Sequence, residues 1–298
     1  FWNRCLAFIQ FAFRSAKLSA SIPSDIIFAT STPLTIAIPA VYASFFQKVP
    51  MVFEVRDLWP ELPIAIGLLK NPFLIKIARL LESWAYRNSS AIVALSPGMK
   101  QGIARRGYPS NQIVVIPNSS VNTHFKACAL APKQLSVNID CPFDQPLLLY
   151  AGSFGLINGV SYAVSLAEEL KLINSNVRIL LVGGGLEYNK VYSEALKRRV
   201  LNRNLFIEPR VSKKDVVQLF LRASVCATLF LDIPEMRNNS ANKFFDTLAA
   251  GKPVFVNYGG WMNDIVLRYN CGISGWRTPL CQVATQIDSC LNDEKWLE

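Results

Sequence analysis

Short apolar runs alternate with helix-length segments twice along this chain, and few folds other than a helix-covered parallel sheet accept that pattern. In the first half, apolar runs at 26–29, 51–55, 91–95 and 113–116 are separated by helical periodicity at 34–46, 73–87 and 98–106. Strands that are apolar on both faces need cover on both faces, which in an alternating chain means parallel strands with helices on either side. Residues 126–146 break the alternation with Pro132, Pro142 and Pro146 and read as a linker. The pattern then restarts, with strands at 147–151, 177–182, 205–208, 225–229 and 254–256 and helices at 160–172, 188–201, 214–223 and 261–269. The expected architecture is α/β, with two doubly wound Rossmann-like domains at 1–125 and 147–298. Ligands in such sheets bind at the carboxyl ends of the strands, so the expected site is a cleft between those ends.

The 298 residues suffice for two domains of ordinary size, and 51% hydrophobic with 17% charged residues excludes a disordered chain. The net charge of +10 is uneven. Residues 1–143 carry 14 Lys and Arg against 6 Asp and Glu, while 144–298 carry 17 against 15. The first half therefore expects an anionic partner: nucleic acid, anionic lipid or a phosphorylated acceptor. Seven cysteines without a Cys-x-x-Cys, and one histidine, argue against a zinc site and for a reduced, cytosolic compartment. No run approaches the eighteen apolar residues of a membrane span. Residues 1–20 place Phe1, Trp2, Cys5, Leu6, Phe8, Ile9, Ala12, Phe13 and Ala16 on one arc and Asn3, Arg4, Gln10, Arg14 and Lys17 on the other, where Phe11 also falls, with no acid. That suits an in-plane membrane helix; a domain helix packed on a sheet is the plainer reading. The chain starts at Phe1 rather than Met, inside this helix, and is expected to be a fragment.

The chemistry concentrates at predicted strand ends. Asn239 and Ser240 are N-cap types that would open a helix closed by Gly251 and Pro253. Ala241, Phe244, Phe245 and Leu248 would pack, leaving Asn242, Lys243, Asp246 and Thr247 on the polar side. A helix start beside a lysine attracts anions, and Asp246 can accept from sugar hydroxyls. The segment alone is equally an amphipathic surface helix. Gly152, Ser153, Phe154, Gly155, Asn158 and Gly159 form a Gly-x-x-Gly-x-x-x-Gly loop, which is not the dinucleotide fingerprint. Gly183-Gly184-Gly185 and Glu208-Pro-Arg210-Val211 end two further strands. In the first half, Glu54-Val-Arg56-Asp57-Leu-Trp59-Pro-Glu61 leaves a buried strand with a cation, two acids and an aromatic face for a sugar. A structural Arg–Asp pair with a core tryptophan is the alternative. Thr30-Ser31-Thr32 puts hydroxyls at the same edge, and His124 beside the linker reads as a hinge residue. The chain has no Gly-x-Ser-x-Gly elbow and no Walker loop.

With these residues in view, the chain resembles the retaining GT-B glycosyltransferases of family 4, and within them the WbuB type that builds O-antigen, capsule and colanic acid units. The matching stretches are Phe28-Ala-Thr-Ser-Thr-Pro-Leu-Thr, Phe53-Glu-Val-Arg-Asp-Leu-Trp-Pro-Glu, Ala94-Leu-Ser-Pro-Gly-Met, Val115-Ile-Pro-Asn-Ser-Ser, Tyr150-Ala-Gly-Ser-Phe-Gly and Asn239-Ser-Ala-Asn-Lys-Phe-Phe-Asp-Thr-Leu-Ala-Ala-Gly-Lys-Pro-Val. The resemblance implies retaining transfer of a sugar, an N-acetylated hexosamine as first choice, from a UDP-sugar to a lipid-linked saccharide. No metal cofactor is expected, and the expected location is the cytoplasm, with a peripheral place on the inner face of the plasma membrane as the option that residues 1–20 add. Asn239 to Asn242 and Lys243 correspond to the diphosphate site, Asp246 to the ribose ligand, Arg210-Val211 to the base site, and the 152–159 loop with Gly183-Gly184 to the donor edge. Asp57 and Glu61 would orient the acceptor hydroxyl, with Thr30, Ser31, Arg56 and Trp59 on the acceptor side. Many members have an acid where this chain has Asn238, a cationic pair where it has Ser153 and Asn158, and a histidine after the strand ending in Arg56-Asp57. The first glycine loop of the N-terminal domain has no counterpart, so that roughly 80–100 residues of a usual domain and the closing C-terminal helix are expected to be missing. Two other readings stand beside this one: a non-catalytic glycosyltransferase subunit and a basic nucleic-acid-binding module, the latter without any recognised motif.

Overall fold

A computed structural model describes residues 2–31, 33–130 and 134–297. Phe1, Thr32, residues 131–133 and Glu298 lie outside the described residues, as do the side chains of 2–5 and 297, and with them the expectations placed on Phe1, Thr32 and Pro132.

The chain divides into two compact units, Phe1–Pro117 with Asn238–Ser240, and Asn118–Arg237 with Ala241–Glu298. The first runs α1 (Trp2–Ser21), β1 (Ile27–Thr30), α2 (Ala37–Gln47), β2 (Met51–Val55), α3 (Glu61–Ala65), α4 (Pro72–Arg87), β3 (Ala91–Ala94), α5 (Pro97–Ala104) and β4 (Ile113–Val115). Its strands are all parallel and follow chain order, β1-β2-β3-β4. Ala29, Met51, Phe53, Val55, Ile92, Ala94 and Ile113 form the core with Val41, Tyr86, Met99 and Ile103. Local chemistry starts the helices. The Asn71 side chain accepts from the amides of Phe73 and Leu74 ahead of Pro72, and Ser96 accepts from Met99 ahead of Pro97. Helix α1 packs on α2, yet among its described side chains only the small residues Ala12 and Ala20 are buried. Its large apolar side chains stay in the open, Phe13 at 69% and Leu18 at 63% exposure.

The second unit runs α6 (Asn122–Leu130), β5 (Leu147–Ser153), α7 (Ser161–Leu172), β6 (Arg178–Gly184), α8 (Tyr188–Lys197), β7 (Leu205–Glu208), α9 (Lys213–Arg222), β8 (Val225–Thr228), α10 (Asn242–Ala249), β9 (Val254–Val256), α11 (Trp261–Tyr269), β10 (Gly272–Ser274), α12 (Leu280–Leu291) and α13 (Glu294–Leu297). Its six parallel strands are ordered β10-β9-β8-β5-β6-β7. The order reverses between β5 and β8, which opens the crevice where doubly wound sheets take ligands. The segment expected as a linker belongs to this unit. Its first residues continue α6, whose Phe125 meets Phe220 edge-on at 6.1 Å, and Ile139 and Cys141 are buried in the core of the second sheet. The irregular, proline-containing stretch still carries apolar residues, and their burial outweighs its lack of periodicity. Among the described residues no helix is long and apolar enough to cross a membrane.

Candidate functional site

The carboxyl edge of the second sheet gathers most of the predicted donor residues. Strand pairing sets Gly152 beside Gly183 and Ser153 beside Gly184, and Glu208 beside Val182 brings Arg210 to the same edge. The exposed Arg210 reaches back so that Nη2 donates to Gly184 O at 3.3 Å, while Val211 packs against the core. Gly183 has φ +156°, and a Cβ there would overlap the carbonyl oxygen of Gly152, so its glycine serves the close approach of two paired strand ends. Phe154 is core rather than ligand surface: it is fully buried, stacked on Tyr188 at 5.7 Å and edge-on to Tyr150 at 6.1 Å. Asn158 is also buried, and its Oδ1 accepts from Gly155 N at 3.2 Å, closing the loop on itself.

Helix α10 begins later than its sequence suggests. Its N-cap is Ala241, in extended conformation and with no side-chain cap bond, so neither Asn239 nor Ser240 caps it. Asn238–Ser240 belong to the first unit, where the Ser96 hydroxyl donates to Asn238 O at 2.6 Å. Ser240 and Ala241 are buried and Asn242 is exposed. The helix ends as expected, with Gly251 at φ +66° just past it. The two faces need one exchange. Thr247, expected on the polar side, is buried because its hydroxyl is satisfied by Lys243 O at 2.7 Å, and Leu248, expected to pack, is 39% exposed. Phe244 is fully buried and meets Phe245 at 5.4 Å.

Lys243 and Asp246 project from this helix to partners that sequence reasoning missed. Lys243 Nζ donates to Tyr150 Oη at 3.1 Å and sits 4.3 Å from the Tyr150 ring centroid and 5.6 Å from that of Phe230. Burial lowers its pKa to about 7. Asp246 Oδ1 accepts from the Ser120 hydroxyl at 2.6 Å. Tyr150 lies in an apolar strand and Ser120 in a loop, so only their places in the matched motifs could have drawn attention to them. The edge thus offers a weakly solvated ammonium and, one turn along the helix, a carboxylate already bound to a hydroxyl. A diphosphate suits the first and a ribose diol the second.

In the first unit the predicted acceptor-side residues are engaged with one another and with the core, and of them Ser31 is buried. The buried Ser31 hydroxyl accepts from Arg56 N at 3.0 Å, and Ser31 N donates to Glu54 O at 2.9 Å, which ties the ends of β1 and β2 together beside Thr30. Arg56 approaches Glu54 at 3.6 Å. Trp59 packs against the core, followed by a cis bond to Pro60. Glu61 forms an ion pair with Arg106, which also holds the buried Glu82 at 3.3 Å. Burial pushes the Glu82 carboxyl up to about 7, against the Tyr86 hydroxyl that donates to it at 3.1 Å and the nearby Arg79. Glu61 is therefore engaged in holding α3 to this cluster. Asp57 is half-buried, and desolvation raises its carboxyl above the usual range, partly offset by Arg56. His124 is exposed on α6. Among the described residues no group of three or more His, Cys, Asp or Glu is placed to hold a metal ion.

The reversed six-strand sheet and its glycine-lined edge define a Rossmann-like unit. Residues 3–119 match the family described as Glycosyl transferase 4-like domain. Glycogen synthase of Mycobacterium tuberculosis is 22% identical over 259 residues, covering 87% of this chain and 58% of that protein. The chain thus spans little more than half the length of this curated relative. Among solved structures, Anabaena HepE in complex with UDP and glucose superposes with a TM-score of 0.71 at 16% identity, over 96% of this chain and 73% of that one. Sucrose-phosphate synthase from Thermosynechococcus elongatus gives 0.71 at 15% identity, over 97% and 70%. The fold is that of the GT-B glycosyltransferases, with two parallel-sheet Rossmann-like domains. Residues 3–119 thus resemble a glycosyl transferase 4-like domain, and the likeness to the solved structures is one of fold.

Proposed function

We propose that the protein transfers a sugar from a UDP-sugar to a lipid-linked saccharide in surface polysaccharide synthesis, with retention at the anomeric carbon. The observation that carries this reading is the pairing of Lys243 and Asp246 on one helix at the switch-point edge, with Lys243 Nζ laid against the glycine loop. The leaving UDP develops charge on its β-phosphate. Lys243 and the first amides of α10 stabilise that charge, and Asp246 holds the ribose. With no protein nucleophile assigned, the acceptor attacks on the face the diphosphate leaves, and the diphosphate takes the acceptor's proton. Asp57, rather than Glu61, orients the acceptor hydroxyl, because Glu61 is drawn to Arg106. Transfer runs without a metal ion, so activity persists in EDTA. The N-acetylated hexosamine rests on the likeness to WbuB-type sequences, and UDP on the same likeness together with HepE, which is solved with UDP.

A lipid-linked acceptor fits features of the first unit. The exposed apolar residues of α1 lie among Arg14 and Lys17, and Phe45 on α2 and Phe73 on α4 are also exposed. We place this surface on an anionic bilayer. Beside it, a groove of about 580 Å³ is lined by Ile64, Pro72, Ile75 and Leu80 with Lys76 and Arg79, a mixture suited to an acyl or polyprenyl phosphate. A donor-binding but non-catalytic subunit is the second reading, favoured by Ser153 and Asn158 in place of loop cations. The test assays the full-length protein with UDP-N-acetylhexosamines and membrane lipid acceptor. Transfer that disappears in Asp246→Ala and Lys243→Ala supports the first reading. UDP binding without turnover supports the second, and unchanged donor affinity in both variants removes the site assignment.

A further inference from the structure

Among the described residues no opposite charge is paired with Lys243. Its polar partner is the Tyr150 hydroxyl, which in turn donates to Ser153 O at 2.7 Å, where β5 runs into the glycine loop. Tyr150 is fully buried and edge-on to Phe154, so its ring is fixed by packing. One hydroxyl therefore joins the ammonium to the loop backbone. The elements around α10 bring no carboxylate to this point among the described residues. From β5 comes Tyr150, whose hydroxyl pKa burial raises; from β8 comes Cys226, whose thiol burial pushes up to about 12; β9 brings no titratable side chain. On α10 itself Asp246 is bound by Ser120, and beyond its end Lys252 lies near Cys226. Desolvation alone lowers the Lys243 pKa, to about 7, so near neutral pH the free site is divided between ammonium and amine.

We propose that Tyr150 is a positioning residue whose hydroxyl fixes the Lys243 amine on the glycine loop, so that docking of a nucleoside diphosphate there is coupled to uptake of a proton by Lys243. The proposal rests on the nucleotide site proposed above. The step forms one N–H bond on Nζ with a proton taken from solvent, and the resulting ammonium faces the anion with no other bond made or broken. The fully buried Tyr150 thus gains a functional role beyond the core, because the same oxygen sets the loop and the cation together.

The experiment titrates UDP calorimetrically against the whole chain from pH 6 to 9, in buffers of different ionisation enthalpy. Affinity is expected to fall by about tenfold per pH unit above the break near 7, with close to one proton taken up per UDP at pH 8. Tyr150→Phe keeps the ring and removes the hydroxyl. It is expected to weaken UDP by about tenfold at pH 6.5 and to move the break by at least about half a pH unit. Native affinity and an unmoved break in Tyr150→Phe overturn the proposal, as does an equal loss at every pH, which marks a merely structural role. A nucleotide-free readout comes from the carbon-13 resonance of the Lys243 side chain, assigned by its absence in Lys243→Met. In the native protein it is expected to titrate near neutrality, and its midpoint moves in Tyr150→Phe. A native midpoint near the ordinary lysine value of about 10.4 overturns the proposal even where Tyr150→Phe does not fold. A shifted, Tyr150-dependent midpoint in a protein that binds no UDP upholds the positioning role and removes the nucleotide reading.

Discussion

A single methyl group at Gly152 separates the packing role of the glycine edge from its binding role. A Cβ at that position would lie 2.9 Å from Lys243 Nζ and 3.3 Å from Tyr150 Oη. The atom in its way is the end of a flexible four-carbon side chain, which can swing aside without moving backbone. Gly152→Ala is therefore expected to cost no more than about 1 kcal/mol of stability. The displaced ammonium, however, loses its place against the loop. A hydrogen bond to a charged group is worth about 1.5–3 kcal/mol, so UDP affinity is expected to fall by about 10- to 150-fold. Gly183→Ala is the opposite case. Its φ of +156° and the overlap of a new Cβ with the Gly152 carbonyl oxygen leave only backbone to move. A loss of about 3 kcal/mol or more is expected there. Urea denaturation and calorimetric titration with UDP, run on both variants, measure the two effects. Native UDP affinity in Gly152→Ala, or destabilisation as severe as that of Gly183→Ala, refutes the reasoning.

Three further outcomes follow from the same geometry. Phe154→Ala, which empties a fully buried site between Tyr150 and Tyr188, is expected to cost about 3–5 kcal/mol in urea denaturation. Lys243→Met is expected to change how stability depends on pH: between the folded value of about 7 and the ordinary lysine range the unfolded native chain holds the extra proton. The stability of the native protein therefore rises with pH across that window and is lowest below 7, where thermal denaturation should find the methionine variant the more stable. Phe13→Ser with Phe45→Ser is expected to reduce flotation on vesicles containing phosphatidylglycerol without altering UDP affinity, because both side chains are exposed on the first unit.

The strands were legible because parallel strands are covered on both faces and so leave continuous apolar runs, as at Leu147 to Tyr150, all buried. The start of α10 was not legible. Asn239 and Ser240 are good caps in isolation, but they are held by the first unit, and an alanine with no capping side chain begins the helix. Helical periodicity set Lys243 and Asp246 on a polar side, as a local rule can. It could not supply Tyr150, 93 residues earlier, or Ser120, 126 residues earlier, which decide what those side chains do. The glycines misled in a different way. A loop glycine facing a phosphate and one admitting the close approach of a neighbouring strand look alike in sequence, and only the backbone geometry at Gly183 tells them apart. The place of residues 126–146 was not legible because three prolines suggested an exposed tether, whereas Ile139 and Cys141 anchor that stretch to the second sheet. In the first unit, Glu61 and Arg106 lie 45 residues apart, so their ion pair was equally invisible.

The central claim is that Lys243 and Asp246 hold a nucleoside diphosphate at the edge of the second sheet. Calorimetric titration of UDP into the native protein and into Asp246→Ala at pH 6.5 tests it most directly. Saturable binding of one UDP per chain, weakened by at least about tenfold in the variant as expected for loss of a charged hydrogen-bond partner, is the predicted result. Binding of equal strength in both proteins, or no binding to the native protein, contradicts it.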